Sequence, residues 1–202
     1  MRLGIFGGTY DPPHVGHLLV AIDAADRLAL DRLVLIPAAT QPFKVGQTAA
    51  APEHRLAMTR LMAEADARFE VDPIEIERPG LSYTVDTLEA LAARHPGAER
   101  YLLLGADAAS QFGAWRSPER ITALARVVVL RRAEGAGGAA TPEGGAAPDD
   151  SSGGGASFLR LTTRRVDVSS TEVRARVRAG KSIRGFVPDA VADYVAAARL
   201  YQ

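Results

Sequence analysis

Strand-like and helix-like segments alternate along most of the chain, and this alternation restricts the possible folds more than any other feature. Short apolar runs such as Arg32–Ile36 and Arg126–Leu130 predict buried strands, whereas longer segments with apolar residues three or four apart predict helices. Strands that alternate with helices are typical of βαβ units, in which helices cover a parallel sheet. We therefore expect an α/β fold: a Rossmann-like, doubly wound, mostly parallel sheet with helices on both faces.

The bounds of these segments follow from their periodicity and from the Gly and Pro residues that interrupt it. Strands are predicted over Leu3–Phe6, Arg32–Ile36, Phe69–Val71, Ile74–Ile76, Tyr101–Leu104, Arg126–Leu130 and Phe158–Leu161. Helices are predicted over Leu18–Ala29, Pro52–Ala67, Val85–Arg94, Pro118–Leu124, Thr171–Ala179 and Pro188–Arg199. In the second of these helices, Leu56, Leu61 and Met62 form the predicted core face.

The chain has 202 residues, enough for one substantial core, and we expect a single domain over residues 1–202. The range 133–157 interrupts the alternation, because it consists largely of Gly, Ala, Pro, Ser and Asp. Such a composition buries too little apolar surface to offset the entropy of ordering it. The segment that follows is too short to fold alone, so we interpret 133–157 as a flexible loop within the domain.

Charge and composition exclude several classes of protein. Lys plus Arg and Asp plus Glu both number 24, so the overall charge favours neither nucleic acid nor an anionic membrane. The absence of Cys excludes disulfides, thiolate metal sites and a Cys nucleophile. No apolar stretch reaches membrane-spanning length, and the apolar run after Met1 is too short for a signal-peptide core. We expect a cytoplasmic protein without nucleic-acid or membrane partners.

The first predicted strand leads directly into a motif of unusual composition, Gly7-Gly8-Thr9-Tyr10-Asp11-Pro12-Pro13-His14-Val15-Gly16-His17. Glycines let the backbone approach a ligand closely, and the N-terminal amides of the next helix suit an anion such as phosphate. His14 and His17 are three residues apart and would face the same way on a helical turn. A simple tight turn or a histidine metal pair is the alternative, although no third metal ligand stands at a typical spacing. The motif therefore predicts a phosphate site with two titratable donors.

A second motif, Val168-Ser169-Ser170-Thr171-Glu172-Val173-Arg174, lies near the other end of the chain. Its alternative interpretation is that Ser170 or Thr171 only caps a helix and that Arg174 is a solvated charge. The run Ala175–Ser182 nearly matches a P-loop, but it lacks the first glycine and follows a helix instead of a strand. Gly180 is better explained as a helix stop.

Three further polar segments follow predicted strands or precede a helix, at the sheet edge where open α/β sheets bind ligands. Lys44 would alone be read as a solvated surface lysine. Ser82-Tyr83-Thr84 precedes a helix, and Thr84 is a suitable N-cap. Gly105-Ala106-Asp107 follows a strand, with Trp115 soon after; a lone Trp is more often part of a core than a platform for a ligand.

The two motifs resemble signatures of the nucleotidyltransferase superfamily related to class I tRNA synthetases. The first resembles G-G-T-[FY]-D-P-x-H-x-G-H, and the second resembles I-S-S-T-x-[IV]-R. The S-Y-T and G-x-D…W segments are similar to those of the bacterial nicotinate-nucleotide adenylyltransferases, as is the ending Arg199-Leu200-Tyr201. Phe43 stands before Lys44 where that branch has a histidine, which removes one expected donor.

The resemblance implies transfer of the adenylyl group of ATP to nicotinate mononucleotide, which gives nicotinate adenine dinucleotide and pyrophosphate in NAD biosynthesis. Mg²⁺ would accompany ATP, the protein itself would hold no metal, and a homo-oligomer is possible. The implied catalytic residues are His17, His14 and Arg174. The implied ATP-binding residues are Gly7, Gly8, Thr9, Tyr10, Asp11, His14, Gly16, His17, Lys44, Ser170, Thr171 and Arg174. The implied acceptor-binding residues are Lys44, Ser82, Tyr83, Thr84, Gly105, Asp107 and Trp115.

Other members of the superfamily are the main alternatives to this assignment. Pantetheine-phosphate adenylyltransferases and glycerol-phosphate cytidylyltransferases share the first signature, but the S-Y-T and G-x-D…W segments favour the nicotinate branch. A nucleotide-sensing protein would keep the pocket without turnover, and the intact His14, His17 and Arg174 argue against it.

Overall fold

The computed structural model describes residues 1–40, 49–132, 147–149 and 158–202. Its strands are β1 (Arg2–Gly8), β2 (Arg32–Pro37), β3 (Phe69–Val71), β4 (Glu99–Gly105), β5 (Arg126–Arg132), β6 (Ala147–Asp149) and β7 (Phe158–Thr163). Its helices are α1 (Val15–Arg27), α2 (Pro52–Ala63), α3 (Ile74–Glu77), α4 (Thr84–Arg94), α5 (Ala106–Ser110), α6 (Pro118–Leu124), α7 (Ser170–Arg178) and α8 (Asp189–Ala197). A 3₁₀ turn spans Phe112–Ala114.

The described strands form one sheet in the order β3-β2-β1-β4-β5-β7-β6. Strand β4 lies parallel to β1 and to β5, and β5 lies parallel to β7, whereas β6 is antiparallel to β7 at the edge. The chain builds outward from β1 to β3 and then resumes on the other side of β1 with β4. This order is typical of a doubly wound sheet and confirms the predicted Rossmann-like α/β fold.

The prediction of a strand over Ile74–Ile76 is wrong, because Ile74–Glu77 forms α3. Asp72 Oδ1 accepts the N–H of Ile74 at 3.0 Å, which starts a turn. The carbonyl of Pro73 then accepts the N–H groups of Ile76 and Glu77. The alternation of Ile and Glu fits a strand, but the Asp-Pro pair before it commits the backbone to a helical turn.

The contacts divide the described chain into two compact units. The first comprises Met1–Phe6, Val20–Val34 and Tyr83–Arg165. Its core contains the fully buried side chains of Leu3, Ile5, Leu88, Leu91, Leu103 and Val128. The largely buried carboxylate of Asp23 accepts hydrogen bonds from the Arg164 guanidinium at 2.7 and 3.0 Å. Burial opposes the charged form of Asp23, but these bonds and the charge of Arg164 outweigh it and hold the pKa of Asp23 below its usual value.

The second unit comprises Gly7–Leu19, Leu35–Ser82 and Val166–Gln202. The described side chains in its core include Leu35, Ile36, Met58, Met62, Phe69, Val173, Val187, Val191 and Val195. His54 Nδ1 and the Tyr194 hydroxyl, 2.9 Å apart, connect α2 to α8. This unit contains both sequence motifs.

Of the predicted loop 133–157, the structure describes only Ala147–Asp149, and the rest lies outside the described residues. Those three residues form the edge strand β6, because backbone groups can pair with β7 whatever the side chains are. The single domain and the loop stay predictions. No helix in the described ranges is both long and apolar enough to cross a membrane.

Candidate active site

The first motif forms the connection between β1 and α1. Strand β1 ends at Gly8 and α1 begins at Val15, so the residues from Thr9 to His14 form the turn between them. Tyr10 has a left-handed backbone (φ 50°) and a buried side chain. Burial, with a smaller effect from the charge of Glu75, raises the pKa of Tyr10, so its hydroxyl stays protonated. The buried side chain of Tyr10 therefore anchors the turn between β1 and α1.

His14 and His17 pack against each other at the start of α1, with ring centroids 3.8 Å apart. His14 Nδ1 accepts the N–H of Gly16 at 3.1 Å, and His17 Nδ1 accepts the N–H of His14 at 3.3 Å. A ring nitrogen that accepts a hydrogen bond carries no proton, so the proton of each neutral ring lies on Nε2. The local backbone thus sets both imidazoles as Nε2–H donors, which can bind phosphate oxygens.

Two of the motif glycines pack closely against aromatic rings of the same motif. A Cβ on Gly16 would lie 2.9 Å from the His14 ring, and a Cβ on Gly8 would lie 3.0 Å from the Tyr10 ring. A Cβ on Gly7, in contrast, would meet no atom within 4 Å. Internal packing is thus a second reason for glycine at positions 8 and 16, and close approach of a ligand to the backbone stays a prediction for all three glycines.

The N-terminal amides of α1 were predicted to bind an anion, but the structure pairs them with groups of the protein. The N–H of Val15 donates to the carbonyl of Phe186 at 2.9 Å, that of Gly16 to His14 Nδ1, and that of His17 to the carbonyl of His14. The physical reason is that the His14 ring folds over the first turn and takes the place of a capping side chain. The imidazoles of His14 and His17 are therefore the candidate donors to an anion at this end of α1, where the helix dipole is positive.

The second motif lies on the first turn of α7 and bonds directly to the first. The Ser170 hydroxyl donates to the carbonyl of Pro12 at 2.9 Å, and Arg174 donates to the carbonyl of Asp11 at 2.7 Å. The helix cap is Ser169, whose hydroxyl accepts the N–H of Glu172 at 3.1 Å. The alternative in which Ser170 or Thr171 caps the helix is therefore wrong. The structure brings the ends of the chain together as one site.

A network of buried charge surrounds the turn. Asp11 is 3% exposed, and its carboxylate accepts the N–H groups of Ala49 and Ala50 at 2.7 and 3.1 Å. Arg55 is fully buried and donates to the carbonyls of Thr9, Ala38, Ala39 and Ala50. Burial lowers the pKa of Arg55, and the charge of Asp11 opposes that shift. The side chains of Asp11 and Arg55 therefore hold the turn and the segments beside it in place.

The predicted acceptor-binding residues begin with Ser82, which lies in the second unit. Its buried Oγ accepts the N–H of Ala39 at 3.1 Å, and its N–H donates to the carbonyl of Thr40. The prediction that Thr84 is the N-cap of α4 is wrong, because Thr84 is the first helical residue. Tyr83 occupies the cap position, and its side chain makes no capping hydrogen bond. The helix simply begins one residue earlier than expected.

The remaining predicted acceptor residues lie in the first unit. Gly105 ends β4, and Asp107 is exposed on the first turn of α5. Trp115 is half-buried, and its ring centroid lies 5.5 Å from that of Phe112. The Arg116 guanidinium lies over the Tyr83 ring at 4.9 Å and within 3.7 Å of the Asp86 carboxylate. Their roles toward an acceptor stay predictions.

Lys44 and Phe43 lie outside the described residues, so the predicted role of Lys44 also stays a prediction. Among the residues that the structure describes, no group of three or more His, Cys, Asp or Glu side chains could hold a metal ion.

A family model described as cytidylyltransferase-like matches residues 5–176. The chain belongs to the cytidylyltransferase-like family. A relative from Gemmatimonas aurantiaca is 52% identical over 202 residues, which is 100% of this chain and 93% of that protein. A relative from Roseiflexus sp. (strain RS-1) is 44% identical over 201 residues, 99% of this chain and 98% of that protein. Both carry the name "Probable nicotinate-nucleotide adenylyltransferase".

Solved structures support the family fold. The nicotinic acid mononucleotide adenylyltransferase of Plasmodium falciparum, solved with NaAD, matches with a TM-score of 0.72 at 15% identity. The match covers 99% of this chain and 97% of that one. At this identity the likeness concerns the fold alone. The resemblance drawn from the two motifs is confirmed at the level of the family.

Two residues of this cytidylyltransferase-like site were missed by the sequence interpretation, Arg55 and Tyr201. Arg55 stands in an amphipathic helix, where arginine normally predicts a solvated face. Tyr201 was noticed as part of the chain ending, but the hydrogen bond of its hydroxyl to Asp11 Oδ1 at 2.8 Å has no sequence signal.

Proposed function

We propose that the chain transfers the adenylyl group of ATP to nicotinate mononucleotide and so acts as a nicotinate-nucleotide adenylyltransferase in NAD biosynthesis. The observation that carries the chemistry is that the two motifs are bonded together, with both imidazoles fixed as Nε2–H donors. The names of two relatives that match over almost their whole length support the choice of acceptor.

In the proposed reaction, a phosphate oxygen of the mononucleotide attacks the α-phosphorus of ATP in line. The new P–O bond forms while the bond from the α-phosphorus to the oxygen shared with the β-phosphorus breaks. Pyrophosphate leaves with that electron pair. Because the attacking oxygen is already ionised at neutral pH, no general base is needed. Catalysis then depends on positioning and on stabilising the charge of the transition state.

The residues of the second unit supply those interactions. His17 donates its Nε2–H to the α-phosphate, where charge develops, and His14 and Arg174 bind the triphosphate. Arg174 spends one N–H on the carbonyl of Asp11 and one on Thr171 Oγ1, which leaves guanidinium donors for phosphate. The only proton of the Ser170 hydroxyl goes to the carbonyl of Pro12. Ser170 thus contributes through the turn, and a direct bond to phosphate would need that proton to change partner.

The acceptor is assigned to Tyr83, Thr84, Asp107 and Trp115, as the resemblance implies, and Lys44 to the phosphates. Mg²⁺ is proposed to enter with ATP, bound to the phosphate oxygens. A cytoplasmic location and a homo-oligomer stay predictions.

The direct test is pyrophosphate release by the purified full-length chain from Mg²⁺-ATP, with and without nicotinate mononucleotide. We expect release that depends on the mononucleotide, together with nicotinate adenine dinucleotide in equal amount by chromatography. Phosphopantetheine with ATP and glycerol phosphate with CTP are the parallel reactions for the rival families. Turnover of either rival pair, or binding of ATP without any turnover, would overturn the proposal.

A further inference from the structure

The chain ending returns to the first motif. Helix α8 ends at Ala197, and the backbone then takes left-handed conformations at Arg199 (φ 50°) and Tyr201 (φ 65°). Such conformations are uncommon for residues other than glycine and are kept only where the surroundings fix them. The Tyr201 hydroxyl donates to Asp11 Oδ1 at 2.8 Å, across 190 positions of the chain, and so ties this segment to the first motif.

Tyr201 completes the set of donors around a buried carboxylate. Asp11 Oδ2 accepts the N–H of Ala49, and Oδ1 accepts both the N–H of Ala50 and the Tyr201 hydroxyl. Burial, followed by the charge of Asp11, raises the pKa of Tyr201, so the hydroxyl keeps its proton at neutral pH. Tyr201 is thus the only side-chain donor among the three partners that the structure gives this carboxylate.

Asp11 stands between the groups assigned to the chemistry. Its carbonyl accepts from Arg174 at 2.7 Å. Its neighbour Tyr10 meets the His17 ring edge-on, with centroids 5.1 Å apart. A shift of Asp11 would therefore move an imidazole and a guanidinium together, and small errors of placement cost much rate in such a site.

We infer that Tyr201 is a positioning residue, which holds the turn between β1 and α1 through Asp11 and thereby sets the orientation of His17. The expected effect of Tyr201 on the reaction rate rests on the proposed function, whereas its expected effect on the orientation of the His17 ring does not.

The test is Tyr201→Phe, which removes the hydroxyl and keeps the ring. The matched control is Tyr194→Phe, because the Tyr194 hydroxyl also makes one hydrogen bond, to His54 at 2.9 Å, in the same unit but outside the motif. A second control deletes Gln202 alone, which changes the residue next to Tyr201 and keeps the Tyr201 hydroxyl. Thermal stability, kcat, and KM for ATP and nicotinate mononucleotide are measured for each variant.

We expect Tyr201→Phe to lower kcat by about tenfold with KM changed less than about threefold. Both controls should keep kcat within about twofold, even where Tyr194→Phe lowers thermal stability as much. Histidine-ring NMR without substrates gives a readout independent of turnover: Tyr201→Phe should shift the His17 signals, and Tyr194→Phe should shift only those of His54.

The outcomes separate the two proposals. If the wild type has no turnover but Tyr201→Phe shifts the His17 signals, the proposed function fails and the positioning role stands. If the His17 signals are unchanged, or if Tyr194→Phe loses as much kcat as Tyr201→Phe, the positioning role is wrong.

Discussion

Replacing His17 by Asn separates the two ring nitrogens by function. The Asn side chain places an amide oxygen near the position of Nδ1, so the N–H of His14 keeps an acceptor in place of its 3.3 Å bond. What the variant loses is the Nε2–H, the group assigned to the α-phosphate. His14 keeps its own 3.1 Å bond from the N–H of Gly16, so the neighbouring donor stays in place.

The size of the loss follows from the number of donors removed. One preorganised donor to charge that develops in a transition state contributes about 2.7–4 kcal/mol, which is a factor of about 10²–10³ in kcat. We expect that loss for His17→Asn, with KM for ATP within about threefold, because the ground-state contacts of the triphosphate are largely kept. His17→Gln, whose amide nitrogen reaches the place of Nε2, should recover part of the rate.

The assay is steady-state pyrophosphate release at saturating Mg²⁺-ATP and nicotinate mononucleotide. His95→Asn is the matched control, since His95 lies in the first unit at the C-cap of α4, and its kcat should be unchanged. If His17→Asn keeps kcat and only raises KM, His17 binds substrate and transition state equally and the assigned role is wrong. Equal losses for the Asn and Gln variants would show that ring packing, and not the Nε2 donor, is responsible.

Four further predictions concern other parts of the molecule. Arg55→Met should lower the free energy of unfolding by about 3–5 kcal/mol in chemical denaturation, because four carbonyls lose their hydrogen-bond donor. The control is Arg60→Met at an exposed position of the same helix, which should lower it by less than about 0.5 kcal/mol. Asp23→Asn should cost about 1–2 kcal/mol at pH 7, discounted for the half-exposed Arg164. Because the pKa of Asp23 is lowered in the folded state, its contribution to stability is full above about pH 4 and is lost as the pH falls through the folded pKa. The unfolding free energies of the wild type and the variant should therefore converge in acid. A difference that stays constant with pH would refute the pairing of Asp23 with Arg164. Replacing 135–157 by a short Gly/Ser connector also removes β6, which pairs with β7 over only three residues at the edge of the sheet. Stability and kcat should stay nearly unchanged, because closure entropy changes slowly with loop length; a folded variant without activity would refute this. The value of kcat/KM should be about ten- to a hundredfold higher for nicotinate mononucleotide than for nicotinamide mononucleotide, because hydrogen bonds to a charged group are stronger than those to a neutral one. Arg116 lies within 3.7 Å of the Asp86 carboxylate and offsets its negative charge. Equal values for the two substrates would refute this prediction.

Much of the fold could be predicted because buried strands and amphipathic helices leave clear periodicities. The prediction of Pro118–Leu124 matches α6 in full, and the predicted Arg126–Leu130 lies within β5. The errors arise where a local bond outweighs the pattern. The Asp72 side chain starts α3 inside an apparent strand, and Ser169, not Ser170 or Thr171, caps α7. Periodicity reports burial, and it does not report which neighbouring side chain a backbone amide will find.

The core face of α2 shows a second reason for error. Apolar spacing selected Leu56, Leu61 and Met62, but the structure buries Arg55, Met58 and Met62 and leaves both leucines half-exposed. A fully buried arginine contradicts the expectation for charged residues, and it is tolerated here because four carbonyls receive its donors. Three of those carbonyls, of Thr9, Ala38 and Ala39, belong to segments far from α2 in the sequence, so no local pattern could reveal them.

The two motifs could each be found from the sequence, but their connection could not. The resemblance assigns the hydroxyl of Ser170 and the guanidinium of Arg174 to phosphate alone. In the structure, both groups donate hydrogen bonds to main-chain carbonyls of the first motif. A bond to a main-chain carbonyl requires no particular residue type at the acceptor, so it leaves no trace in the partner's sequence. Substitutions of Arg174 should therefore disturb His17 as well as the proposed binding of ATP. The loss of activation free energy, measured from kcat/KM, should be smaller for a double substitution of Arg174 and His17 than the sum of the two single losses.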